Sequence, residues 1–133
     1  SHNFIGPIGI TLLAECFERN ESVSELKLNY CALTGSTENE EEIDVSGLCR
    51  FAQAIEKNCG LETLELRGNC LTDFGENEKG FDLLMKCCSR CTSLVTLDIS
   101  ENGLGATGAD IIRNRLMHNS TLHCLKANKN CFQ

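Results

Sequence analysis

A chain of 133 residues is long enough for one domain with its own core and too short for two. A hydrophobic fraction of 41% and a charged fraction of 23% suit a globular domain, and no apolar run is long enough to cross a bilayer. The net charge of −7 disfavours nucleic acid and anionic membrane as partners, since both require a basic surface.

Ser1-His2 precede any pattern and read as a cloning remnant, and no basic-then-apolar leader follows them. From Asn3 the chain opens inside a repeat. Ile5 stands 18 residues before Val23 just as Leu104 stands 18 before Leu122, which puts Asn3 in the position of Asn102. The first complete copy is Val23/Leu26/Leu28/Cys31/Leu33. The second, Leu61-Glu-Thr-Leu64-Glu-Leu66-Arg-Gly-Asn69-Cys-Leu71, reads L-x-x-L-x-L-x-x-N-x-L. It recurs as Leu94/Leu97/Ile99/Asn102/Leu104 and, degraded, as Leu122/Leu125/Ala127/Asn130/Phe132. The last two copies start 28 residues apart. The two preceding intervals are 33 and 38, so insertions of five and ten residues fall between strand and helix.

The second half of each repeat has helical periodicity. Counted back from Asn20, Asn58, Cys91 and Asn119, three apolar columns align on one helical face. They are Ile10/Leu48/Phe81/Ala109, Leu13/Phe51/Leu84/Ile112 and Phe17/Ile55/Cys88/Leu116. A short strand and one amphipathic helix cannot bury both faces alone, so neighbours must stack into a curved solenoid. The expected fold is therefore α/β, one domain over residues 3–133 with repeats starting near 23, 61, 94 and 122, parallel strands concave and helices convex. With a partial first repeat and no reading of a cap at either end, the chain is expected to be a fragment of a longer repeat protein.

These strings, the 28-residue period and the phrase Asn3-Phe-Ile-Gly-Pro-Ile-Gly-Ile-Thr-Leu-Leu-Ala-Glu15 resemble the ribonuclease-inhibitor-like class of leucine-rich-repeat proteins. That class includes NOD-like receptor repeats, tropomodulin-type repeats and Ran GTPase-activating proteins. The resemblance implies an interaction module or scaffold, with GTPase activation of the Ran-activator type as the alternative, which rests on fold analogy alone. It also implies that Cys31, Asn69, Asn102 and Asn130 form an internal hydrogen-bonding ladder.

Most residues that could pass for chemistry have a repeat-based explanation. The ten cysteines follow repeat geometry and pair nothing obvious, so a reducing, cytoplasmic setting is expected rather than a disulfide framework. Cys88-Ser-Arg-Cys91 reads C-x-x-C but lacks the second pair of a zinc site. Asn20-Glu-Ser22 and Asn119-Ser-Thr121 are formal glycosylation sequons at helix ends, where Asn is a good terminator. Gly103-Leu-Gly105-Ala-Thr-Gly108 has GxGxxG spacing but lies at the repeat's own bend, beside the counterparts Gly35 and Gly75. No nucleophile–base pattern attaches to His2, His118 or His123. No catalytic residue, metal or cofactor is expected.

Two surfaces remain for a protein partner. The concave face should display Glu25, Lys27, Asn29, Glu65, Arg67, Asp98 and Lys126, charges of both signs in rows, with Tyr30 as a displayed aromatic. The other is an acidic rim built by the two insertions. Residues 34–46 carry Glu38, Glu40, Glu41, Glu42 and Asp44; residues 72–80 carry Asp73, Glu76 and Glu78 against Lys79. Their net charges, −5 and −2, together equal that of the whole chain, so the acidity is local and suits a partner with a basic patch. The acidic run lacks the spacing of a calcium loop.

Overall fold

The computed structural model describes residues 4–35, 43–117 and 119–131. Four helices, α1 (Gly6–Phe17), α2 (Ser46–Lys57), α3 (Lys79–Arg90) and α4 (Gly105–Leu116), alternate with four strands, β1 (Glu25–Lys27), β2 (Thr63–Glu65), β3 (Thr96–Asp98) and β4 (Cys124–Lys126). The strands form one parallel sheet in the order β1-β2-β3-β4, with Leu26, Leu64, Leu97 and Leu125 in register. Parallel neighbours require a crossover, and α2, α3 and α4 supply the three.

Side-chain alternation sends the central leucine of each strand inward and its neighbours to the open face. Leu64 and Leu97 are fully buried, whereas Leu26 and Leu125, on the edge strands, are covered from one side only. The helical columns behave the same way. Leu48, Phe51 and Ile55 of α2 and Phe81, Leu84 and Cys88 of α3 are buried, while Ala109, Ile112 and Leu116 of α4 are half-buried. Ile112 and Leu116 line an apolar groove of about 370 Å³ with Leu122 and Leu125.

Glycine governs how closely the helices approach. Gly9, Gly47, Gly80 and Gly108 occupy one position near the start of the four helices. A Cβ on Gly47 would lie 2.3 Å from the Pro7 carbonyl oxygen and 2.6 Å from Cγ2 of Ile10; one on Gly80 would lie 2.9 Å from Cβ of Val45. Ion pairs bridge the outer faces of adjacent helices: Arg50 to Glu18 at 2.6 Å, Arg90 to Glu56 at 3.2 Å and Arg115 to Asp82 at 2.8 Å.

Each strand ends in a turn held by a buried residue. Asn69 Oδ1 accepts from the Cys31 amide at 3.0 Å, Asn102 Oδ1 from the Asn69 amide at 2.8 Å, and Asn130 Oδ1 from the Asn102 amide at 2.7 Å. Their Nδ2 groups donate to carbonyls one repeat earlier, on Leu28, Leu66 and Ile99 respectively. Cys31 Sγ donates within its own turn, to the Asn29 carbonyl. The residues before the ladder (Tyr30, Gly68, Glu101, Lys129) and after it (Ala32, Cys70, Gly103, Cys131) all have positive φ. This double left-handed turn reverses the backbone around each ladder residue and leaves its amide facing the next side chain.

A second seam runs along the opposite edge. Asn58 Nδ2 donates to the Phe17 and Asn20 carbonyls, and Asn58 Oδ1 accepts from the Gly60 and Leu61 amides. Asn119 repeats the arrangement, donating to the Ser89 carbonyl at 2.7 Å and accepting from the Leu122 amide. These asparagines thus join one repeat to the next as well as ending helices. Where the series has Cys91, its Sγ contacts the Asn58 carbonyl at 3.7 Å.

Candidate functional site

The parallel register places equivalent residues side by side on the open sheet face: Glu25/Thr63/Thr96/Cys124 in one row and Lys27/Glu65/Asp98/Lys126 in the next. Most charges in this surface already have partners. Lys27 lies 3.1 Å from Glu25 and 3.8 Å from Glu65, and Asn29 Nδ2 donates to Glu65 at 2.8 Å. Asn29 Oδ1 in turn accepts from the Arg67 amide at 2.9 Å. Asp98 is 4% exposed, accepts from the Ser100 amide and lies 3.5 Å from the Arg67 guanidinium, so its carboxylate serves the sheet before any partner. Arg67 Nε is buried and has no hydrogen-bond acceptor among the described residues. Lys126 makes no ion pair among the described residues.

Tyr30 is 39% exposed at the strand end. Its ring lies across the next repeat over Gly68, where a Cβ would come within 2.3 Å of it, and its hydroxyl donates to Glu101 of the repeat beyond. Hydrogen bonding to Glu101 holds the phenol above its ordinary range, and the same bond holds the Glu101 carboxyl below its own. Lys129 approaches Glu101 from the other side at 3.7 Å. One phenol thereby spans three repeats, a contact with no signature in the local spacing.

The insertion rim is described in part. Glu38, Glu40, Glu41 and Glu42 lie outside the described residues. The base of the first insertion is closed by a hydrogen bond from the Asp44 amide to the Thr34 carbonyl at 2.9 Å. Asp44 Oδ1 accepts from the Ser46 hydroxyl and amide, which lowers its pKa and engages that carboxylate at the start of α2. In the second insertion Glu76 and Glu78 are exposed. The two insertions meet: Ile43 of the first and Asp73, Glu76 and Asn77 of the second line a cleft of about 390 Å³.

Among the described residues no group of three or more His, Cys, Asp or Glu side chains is placed to hold a metal ion. Burial pushes the Cys87 thiol up to about 11 and the fully buried Cys88 thiol further still. No helix is long and apolar enough to cross a membrane among the described residues.

Comparison with known proteins agrees with the geometry. A family model for the leucine-rich repeat matches residues 57–75 and 90–110, the β2 and β3 repeats. A solved structure titled "Leiomodin-1 Actin-Binding Site 2 (ABS2)" is similar over 87% of this chain, with a TM-score of 0.65 and 19% sequence identity. The chain spans 60% of that structure's length. No curated protein matches the sequence. The chain folds as an α/β leucine-rich-repeat solenoid segment, two of whose repeats match the leucine-rich-repeat family model. Neither the family match nor this structural likeness bears on GTPase activation.

Proposed function

We propose that this chain is a protein–protein interaction module or scaffold, not an enzyme, and that its concave sheet carries the partner. The observation that supports this most is the register of Lys27, Glu65, Asp98 and Lys126 across four strands, a rigid row with charges of both signs. Lateral pairing holds most of these side chains in place, which reduces the ordering cost of association. Lys126, without an ion pair among the described residues, is the natural contact for a partner carboxylate. The acidic rim of Asp73, Glu76 and Glu78 forms the second part of the proposal, as a surface that steers a partner's basic patch. Ten free thiols suit a reducing, cytoplasmic compartment.

Actin is the partner to test first, because the structurally similar leiomodin segment is titled an actin-binding site. Saturable binding to purified actin is expected, with Lys126→Glu weakening it about tenfold through lost charge complementarity. Arg113→Ala, on the outer face of α4, is expected to leave it unchanged. Binding indifferent to Lys126→Glu would refute the concave-face assignment, and no saturable binding would remove actin as the partner.

A further inference from the structure

We propose that Phe74 on the insertion rim and Tyr30 at the edge of the concave face form an aromatic anchor for a basic amphipathic helix of another protein. Phe74 is 76% exposed, the second most exposed large apolar side chain among the described residues after Ile8. Its ring nevertheless rests against the neighbouring repeat. It covers Gly103 of the following repeat, where a Cβ would lie 2.7 Å from the ring. Tyr30 covers Gly68 in the same manner and bonds Glu101, two residues before Gly103. Both rings therefore lie against glycines of neighbouring repeats, and both contact the Glu101–Gly103 turn.

The backbone supports this display at a cost. Asp73 and Phe74 both have positive φ, 50° and 54°, followed by Gly75 at 91°. Left-handed backbone is unfavourable for residues other than glycine. The turn is closed by bonds from the Gly75 and Asn77 amides to Thr72 and from the Glu76 amide to Asp73. An exposed ring on a turn closed by its own hydrogen bonds needs little backbone ordering on binding, a property of interface anchors.

Charge identifies the partner's chemistry. Asp73, Glu76 and Glu78 share the insertion with Phe74, opposed by Lys79 alone. An apolar stripe laid on the two rings, flanked by lysine or arginine, satisfies both features; an acidic helix would be repelled. The proposal rests on the rim reading above and adds the anchor to it.

Its test is a titration of ¹⁵N-labelled protein with three synthetic helical peptides: a Lys/Leu amphipath, a Glu/Leu amphipath and a Lys/Gln helix without an apolar face. The Lys/Leu peptide is expected to shift the amides of residues 72–77, Gly68 and Glu101–Gly103, and Phe74→Ala to weaken it about tenfold with Tm unchanged. The Glu/Leu peptide is expected not to bind. Equal binding of Lys/Gln and Lys/Leu, or affinity unmoved by Phe74→Ala, overturns the anchor while leaving the acidic rim standing. Absence of any binding, tight binding of Glu/Leu, or shifts elsewhere on the protein overturns both.

Discussion

Asn102 makes the density of the ladder plain. Its Oδ1 accepts from the Asn69 amide, and its Nδ2 is placed to donate to the Leu66, Ile99 and Ser100 carbonyls, all within a buried turn. Asn102→Ala leaves a buried amide and several carbonyls unpaired, at a cost of about 3 kcal/mol. Urea unfolding should show the midpoint falling without a change in slope. Tyr30 is the only tyrosine and there is no Trp, so its ionisation can be followed alone. Its phenol should titrate above the ordinary value of about 10, and Glu101→Gln should return it toward that value. Because the folded pKa is raised, the stability carried by this bond is present below the unfolded pKa and lost as pH rises through the folded one. An absorbance titration near the ordinary value in the native protein would contradict the bond. At this scale the ladder was legible because asparagine recurs at fixed spacing. The left-handed turns around it were not, because Tyr30, Ala32, Cys70, Glu101, Lys129 and Cys131 occupy positions that glycine would have signalled.

Among the elements, the apolar columns could be read directly, since a period near 3.6 survives any insertion placed outside the helix. Their unequal burial could not, because it depends on how many neighbours cover each helix: Phe51 and Phe81 are enclosed, Leu116 is not. Nor did the apolar pattern reveal Gly47, whose role is a close approach between helices. Gly47→Ala would push a methyl group into the Pro7 carbonyl and Ile10, forcing α1 and α2 apart. A loss of about 2 kcal/mol is expected despite alanine's better helix propensity, and thermal unfolding measures it. A stabilised variant would show that the two helices are not held at that distance. Asp98 carries a related lesson: strand alternation placed it on the open face, but the turn that follows drew its carboxylate onto the Ser100 amide.

Across the whole molecule, the concave rows follow from the repeat itself, whereas the rim depends on two insertions that break the period. Their convergence at Ile43, Asp73 and Glu76 is a three-dimensional fact that net charge could only suggest. The cysteines also sort by fold. Cys16, Cys59 and Cys131 are exposed, whereas Cys31, Cys87, Cys88 and Cys91 are buried. A thiol reagent at neutral pH should therefore label the exposed three fast and the buried four only on unfolding, as mass mapping would show. The most direct test of the concave-face proposal is the amide spectrum of ¹⁵N-labelled protein during titration with purified actin. The expected perturbations fall on β1–β4 and their outward neighbours Asn29, Arg67 and Asn128, with the outer faces of α1–α4 unmoved. Perturbations confined to those helices would contradict it, whereas a spectrum unchanged at saturating actin would remove actin as the partner.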